Sequence, residues 1–120
     1  MSYIDGYLLA VPSDKLEAYR ELARKGWEMF REWGAIRQVE CWGDDVPHGH
    51  TTDFFRAVKA NEGESVVFSW IEYPTKEVRD AAGRKMREDP RMKEFGEAMS
   101  FVDGKRMIFG GFKPIFDQHR

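Results

Sequence analysis

Short apolar runs alternate along this chain with longer segments whose apolar residues recur at helical spacing. The runs at 3–11, 35–42, 65–73 and 106–112 predict four β-strands. Helical spacing follows the first run and the third, so the predicted order of elements is βαββαβ. This order is typical of an α+β, ferredoxin-like subunit, in which an antiparallel sheet carries its helices on one face.

The first and third predicted strands are apolar on both faces. Because the helices cover one face only, we expect Tyr7, Leu9, Phe68 and Trp70, or the residues that alternate with them, on the uncovered face. An exposed apolar patch of this size is unusual for a soluble monomer. The pattern therefore predicts a homodimer in which two sheets face each other and enclose a dimeric α/β barrel.

Capping and turn residues indicate where the elements begin and end. Asp14 and Glu17 predict a capping pair at the start of the first helix, and Gly34 predicts its end. Gly110 and Gly111 predict a bulge or a close backbone approach in the last strand. The irregular segment 43–64 is long enough to suggest a functional loop or a partner contact, with a short helix or an edge strand at 53–58.

Composition narrows the class of protein. A chain of 120 residues with 42% apolar residues is expected to fold as one domain over 1–120. A net charge of −2 argues against a nucleic-acid partner, and no apolar run is long enough for a membrane helix. The first residues lack the pattern of a secretion signal, and the single cysteine, Cys41, cannot form an internal disulfide. We therefore expect a cytoplasmic protein.

Five segments of the chain resemble the YbaA-like family of small bacterial proteins. They are YIDGYLLAVPSDKLEAYRELA, GAIRQVECWGDDV, VVFSWIEY, DPRMKE and DGKRMIFGGFKPI. The resemblance covers nearly the whole chain and implies a ferredoxin-like subunit and a homodimer of the dimeric α/β-barrel superfamily. It implies no established activity and no catalytic residues. More distant members of that superfamily include small monooxygenases, haem-degrading enzymes and muconolactone-isomerase-like proteins, which only illustrate what such a barrel accommodates.

Three carboxylates within the predicted strands are candidate catalytic groups: Glu72, Glu40 and Asp5. A carboxylate that faces the barrel interior has a raised pKa and can transfer a proton. The alternative is that these groups face solvent or pair with arginines. Aromatic residues on the strands are candidates for a substrate pocket, or else for ordinary core and dimer interface: Tyr7, Trp42, Phe68, Trp70 and Phe109.

The loop after the second strand holds the most ligand-like cluster, formed by His48, His50 and Asp44. Two imidazoles and a carboxylate could begin a metal shell, but the spacing matches no established metal motif, so a polar surface loop is favoured and no metal is expected. Cys41 could act as a nucleophile only if a loop histidine folded back onto it. A small buried core cysteine is the favoured alternative.

These patterns predict a small cytosolic, dimeric α/β-barrel protein that binds or transforms a small apolar or aromatic molecule in a pocket beside the sheet. Two other functions stay open: a non-catalytic dimeric binding or structural protein, and a metal-binding protein that uses the His48 and His50 loop. The residues do not decide whether the protein is an enzyme, and they identify no cofactor. The expected partners are a second copy of the chain and a small-molecule ligand.

Overall fold

The computed structural model describes residues 2–120, which form one four-stranded sheet and four α-helices. The strands are β1 (Tyr3–Pro12), β2 (Arg37–Trp42), β3 (Glu64–Tyr73) and β4 (Ile108–Phe112). The helices are α1 (Leu16–Glu32), α2 (Phe54–Ala57), α3 (Lys76–Glu88) and α4 (Arg91–Ala98). Short 3₁₀ turns at Ser13–Lys15 and Gly104–Arg106 precede α1 and β4. Within the described range, no helix combines the length and apolar character needed to cross a membrane.

The sheet order is β2-β3-β1-β4, and every neighbouring pair is antiparallel. This topology confirms the predicted ferredoxin-like α+β fold. The last strand begins later than predicted because the preceding residues form the turn Gly104–Arg106, where the Asp103 side chain accepts a hydrogen bond from the Lys105 backbone amide.

The strand register decides which side chains share a face. Residues directly opposite each other in an antiparallel pair lie on the same face, and Phe68 lies opposite Leu8 while Trp70 lies opposite Gly6. Tyr7 and Leu9 instead lie on the other face, against the helices. The expectation that Tyr7 and Leu9 share one face with Phe68 and Trp70 is therefore wrong, because alternation within a strand does not reveal the register between strands.

The uncovered face of the sheet is apolar. The uncovered face is the side of the sheet opposite the helix layer. Its large apolar side chains are Ile4, Leu8, Phe68, Trp70, Ile108 and Phe112. Phe68 is 50% exposed and Phe112 is 62% exposed on this face. The loop between β2 and β3 covers one end of it, where Val58 packs on Ala10 and Val66.

Helix α1 lies across the other face and follows the predicted apolar pattern, with Tyr19, Leu22 and Met29 buried. The predicted capping pair of Asp14 and Glu17 is wrong, since no side-chain cap hydrogen bond starts this helix. Residues Ser13–Lys15 form a 3₁₀ turn there instead, and a 3₁₀ turn is a common way to open an α-helix.

Replacement of Gly34 by alanine is expected to destabilise the protein by at least about 1–2 kcal/mol, because Gly34 has a φ of +113°. A Cβ there would also lie 2.5 Å from Val78 Cγ1 on α3. Urea unfolding measures the change. Gly96→Ala is the matched control, because a Cβ on this α4 glycine meets no atom within 4 Å. The control is expected to be neutral or more stable, and an equal loss in both variants would contradict the explanation.

The predicted short structure at 53–58 is a helix, α2, and not an edge strand. Asp53 caps it by accepting hydrogen bonds from the backbone amides of Arg56 and Gly49, at 2.7 and 3.0 Å. These two bonds hold the pKa of Asp53 below its ordinary value. The cap therefore fixes the loop that carries His48 and His50.

The glycines of β4 do not form a bulge, since the pairing with β1 runs without interruption from Ile4–Phe112 to Leu8–Ile108. Gly111 is needed for space, because a Cβ would lie 2.5 Å from Tyr3 Oη and 2.6 Å from Arg79 Nη2. The close approach at this position is made by side chains and not by backbone.

An ion pair between Arg106 and Glu64 joins the start of β4 to β3, with Nη1 to Oε1 at 2.8 Å and Nη2 to Oε2 at 2.9 Å. The hydrogen bonds from Arg106 hold the pKa of Glu64 at about 2, against an ordinary value of 4.5. Because the pKa is lower in the folded state, this pair stabilises the fold above about pH 4.5, and its contribution is lost as the pH falls towards 2.

A Glu64→Gln variant is accordingly expected to show a shallower loss of unfolding free energy on acidification than the unaltered protein. Urea titrations at a series of pH values across this window measure the two slopes. The other carboxylates with lowered pKa values, Asp53, Asp80, Asp89 and Asp103, are present in both proteins, and of these Asp103 shares Arg106 with Glu64. Identical acid slopes would show that the pair does not contribute.

Candidate functional site

A cavity of about 300 Å³ lies between the sheet and helices α1, α3 and α4. We call it the helix-side cavity. Its walls are largely apolar and include Leu9, Leu22, Phe30, Ile71, Met86, Met92, Phe95, Met99 and Met107. Methionine has a flexible, polarizable side chain that adapts to ligands of different shape. The cavity therefore has the size and lining of a site for a small apolar molecule.

One wall of the helix-side cavity carries a hydrogen-bonded group of polar side chains. Tyr19 Oη donates to Glu40 Oε1 at 2.6 Å, and Gln38 Nε2 donates to Glu40 Oε2 at 2.9 Å. Gln38 and Glu40 point inward together because they are two residues apart on β2. Ser69, which is 3% exposed, lies opposite Glu40 on β3 and also lines the cavity.

Gln38 Oε1 is buried and accepts no hydrogen bond from any residue in the range 2–120. An unpaired buried acceptor costs about 1–3 kcal/mol, so native structures usually satisfy such atoms. Its amide nitrogen is already directed to Glu40, which fixes the oxygen as the free end of the side chain. The polar wall of the cavity therefore offers a hydrogen-bond acceptor that the chain itself leaves unused.

The two tyrosines of the cavity are held in their neutral form. Burial raises the pKa of Tyr19, and the nearby Glu40 charge and its hydrogen bond raise it further. Burial also raises the pKa of Tyr7. At neutral pH, both phenols therefore keep their protons, and Tyr19 acts as a stable donor to the Glu40 carboxylate.

The three candidate catalytic carboxylates lie in different places. Glu40 lines the helix-side cavity. Asp5 forms an ion pair with Arg79, whose Nε lies 2.9 Å from Oδ1, and burial raises the pKa of Asp5 while Arg79 offsets part of the rise. Glu72 lies opposite Ile4 and Arg37 in the sheet register, which puts it with the uncovered face. Glu40 is the one of the three that joins the polar wall of this cavity.

The five aromatic candidates do not form one pocket, because they lie on both faces of the sheet. Tyr7 and Phe109 line the helix-side cavity and stack with ring centroids 6.1 Å apart. Trp42 packs on Tyr19 at 6.2 Å and lines a smaller neighbouring pocket. Phe68 and Trp70 lie on the uncovered face. The expected set is therefore divided between a cavity and a surface.

The structure does not gather the candidate metal ligands into one site. His48 stacks on Phe55 with ring centroids 4.6 Å apart, and its Nδ1 lies 3.8 Å from Asp53 Oδ2. His50 and Asp44 are exposed. Among residues 2–120, no three histidine, cysteine, aspartate or glutamate side chains are placed to hold a metal ion together.

Cys41 is exposed, so the expectation of a buried core cysteine is wrong. It lies opposite Phe68 on the uncovered face, and β2 is an edge strand of the sheet. The sequence of β2 does not alternate cleanly enough to predict which of its side chains face the helices. In the structure these are Gln38, Glu40 and Trp42.

Sequence analysis missed Tyr19 and Gln38 as candidate site residues. Tyr19 follows the apolar spacing of α1 and reads as ordinary core. The available signal was the pair of polar residues two positions apart on β2, Gln38 and Glu40, which a strand must place on one face. Their connection to Tyr19 depends on how α1 packs across the sheet, which the spacing does not reveal.

Comparisons with known proteins agree with this fold. The chain is 65% identical over 118 residues to the protein described as "Uncharacterized protein YbaA" from Escherichia coli (strain K12), with 98% of this chain and 100% of that protein covered. The crystal structure of a dimeric ferredoxin-like protein from an uncultured marine organism matches with a TM-score of 0.63 and 9% identity, covering 98% of this chain and 100% of that one.

SnoaB, described as a cofactor-independent oxygenase from Streptomyces nogalater, matches with a TM-score of 0.57 and 12% identity, covering 97% of this chain and 95% of that one. At such identities, the likeness shows a shared fold alone. The model of the family described as "Protein of unknown function (DUF1428)" matches residues 2–103. Together with the YbaA relative, which confirms the resemblance found in the sequence, this match shows that the chain belongs to that family.

Proposed function

We propose that the protein is a homodimer that binds a small, largely apolar molecule with a hydrogen-bond donor in its helix-side cavity. The observation that carries this proposal is the unpaired Gln38 Oε1, which is buried beside Glu40 in an otherwise apolar space. A hydroxyl or N–H group on the ligand would satisfy that atom. The apolar body of the ligand would fill the space between the methionines and aromatic rings.

The polar wall favours a donor over an acceptor on the ligand. Both oxygens of Glu40 already accept hydrogen bonds, and the hydroxyl proton of Tyr19 is used for one of them. The position that the group leaves unpaired is the Gln38 amide oxygen, which has no proton to give, whereas the Ser69 hydroxyl on the same wall can donate or accept. A phenol or an alcohol therefore fits this wall better than a ketone or an ester of the same size.

Glu40 is the group that we propose as the proton acceptor in any reaction of the bound molecule. It lies next to Gln38, so a ligand hydroxyl bound at Gln38 Oε1 would be close to the carboxylate. The neighbour described as a cofactor-independent oxygenase supports the general idea that this fold accommodates small-molecule chemistry. The binding proposal does not depend on that reaction.

The homodimer is supported by the apolar uncovered face and by the dimeric ferredoxin-like neighbours. Face-to-face packing of two sheets would bury Phe68, Ile108 and Phe112, at about 25 cal/mol for each Å² of apolar surface removed from water. The helix-side cavity lies on the opposite side of the sheet, so the dimer would leave it available to a ligand.

Naphthol and naphthalene are the probes that test the donor requirement, since they differ by one hydroxyl. Calorimetry is expected to show naphthol binding at least about tenfold more tightly, equivalent to about 1.4 kcal/mol. A Gln38→Leu variant should lose this difference, because the acceptor is gone. Cys41→Ser, a nearly isosteric change on the opposite face of the same strand, is the control and should keep it.

Equal affinities for naphthol and naphthalene in the unaltered protein would contradict the donor proposal. A difference that survives in Gln38→Leu would show that another group binds the hydroxyl. Circular dichroism and urea unfolding confirm that each variant is folded before its affinity is compared.

A further inference from the structure

A second space adjoins the helix-side cavity. It is a groove of about 450 Å³ beside α3, and we call it the arginine groove because Arg79, Arg84 and Arg87 line it. The groove and the helix-side cavity share four lining residues, so the two spaces meet at Tyr7, Phe30, Met86 and Phe109. A molecule that fills the cavity could therefore extend into the groove.

One of the three arginines, Arg79, already forms ion pairs within the chain. Arg79 Nε lies 2.9 Å from Asp5 Oδ1, and Arg79 Nη1 lies 3.0 Å from Asp80 Oδ1. Arg84 and Arg87 form neither an ion pair nor a side-chain hydrogen bond with any residue in the range 2–120. Two guanidinium groups are thus available at the edge of the groove.

Gly83 helps to place one of these groups. It lines the groove one turn before Arg87 on α3, and Arg87 Nη1 lies 3.7 Å from the position that a Cβ on residue 83 would take. The guanidinium therefore folds back along the helix over Gly83 towards the groove. A planar guanidinium in this position can bind a carboxylate through two parallel hydrogen bonds.

The charges of the groove favour a singly charged anion. Its three arginines face two carboxylates, Asp5 and Asp80, and both carboxylates are held by Arg79. Together these five groups carry a net charge of +1, which a singly charged anion neutralises and a doubly charged anion would exceed. A carboxylic acid with an apolar body carries its charge at one end. Its body would fit the apolar walls of the helix-side cavity while its carboxylate lies in the groove.

We infer that the molecule bound by this protein is an amphipathic carboxylic acid, with its donor group at Gln38 and its carboxylate in the arginine groove between Arg84 and Arg87. This inference rests on the proposed function, because the apolar body must occupy the helix-side cavity. It adds the substrate class and two specificity residues. Neither arginine touches the polar wall at Glu40 in this arrangement, so donor binding and acid binding are separable.

The test compares naphthol with a hydroxynaphthoate whose hydroxyl and carboxylate lie at opposite ends of the ring pair. The carboxylate is expected to improve affinity about five- to tenfold at low ionic strength, and added salt should reduce this gain because the groove is open to solvent. An Arg84→Gln/Arg87→Gln double variant should lose the gain while it binds naphthol as tightly as the unaltered protein.

An Arg24→Gln/Arg31→Gln double variant is the matched control, because it removes the same charge from the exposed side of α1. It should keep the gain. If naphthol binds but the carboxylate adds nothing, or if the gain survives in Arg84→Gln/Arg87→Gln, the acid inference is wrong and the proposed function stands. If naphthol itself does not bind, the proposed function fails and the acid inference fails with it.

Discussion

A Phe68→Glu variant is expected to be a monomer under conditions in which the unaltered protein is expected to form the proposed homodimer. Phe68 lies on β3, in the middle of the uncovered face, and half of its surface is exposed in the isolated subunit. A glutamate there is tolerated in the monomer because water reaches it. In the face-to-face dimer, the charge would be buried twice, once from each subunit, without a partner.

Leaving a charge buried and unpaired costs about 3–5 kcal/mol, so two such charges should weaken the dimer by at least about a thousandfold. Sedimentation velocity and light scattering measure the mass directly. Phe68→Leu is the control, because it keeps an apolar side chain and should stay dimeric. A Phe68→Glu protein that retains the mass of two chains would place the dimer interface on another surface.

Filling the helix-side cavity is expected to abolish ligand binding without unfolding the protein. Ala23 lies on α1 and lines the cavity, so an Ala23→Phe change would place a ring in the space that the ligand needs. Calorimetry should show naphthol affinity reduced by at least about a hundredfold, since an occupied cavity leaves no room for the ligand body. The urea midpoint should stay the same or rise, because the ring fills an existing space.

Ala18→Phe is the control for this change, because Ala18 is exposed on the same helix and lines none of the cavity. It should bind naphthol as the unaltered protein does. Unchanged affinity in Ala23→Phe would place the ligand elsewhere, with the uncovered face as the next surface to examine.

The order of elements could be predicted from the sequence because each element carries its own periodicity. The alternation in β1 separates Ile4 and Leu8 from Tyr7 and Leu9 correctly, and the apolar positions of α1 match its buried face. The relation between strands could not be predicted this way. Whether Phe68 joins Leu8 or Leu9 depends on a register that is set by pairing across sixty residues of sequence.

The candidate site was predictable only in part for a related reason. Glu40 could be named because a carboxylate within a strand is unusual, and Tyr7 and Phe109 because they are aromatic. The hydrogen bonds that hold Glu40 in the cavity wall come from Tyr19 on α1 and from Gln38 on the same strand, and the first exists only once the helix packs across the sheet. An edge strand normally tolerates polar residues on either face, so the sequence of β2 does not indicate that Gln38 and Glu40 face the cavity.

The central claim is that the helix-side cavity holds a small apolar molecule through Gln38. A crystal structure of the protein soaked with naphthol tests it most directly. The account predicts the ring system between α1 and the sheet, with its hydroxyl within hydrogen-bond distance of Gln38 Oε1. Naphthol bound on the uncovered face would contradict the account. So would an empty helix-side cavity in the soaked crystal if calorimetry shows that naphthol binds to the protein in solution.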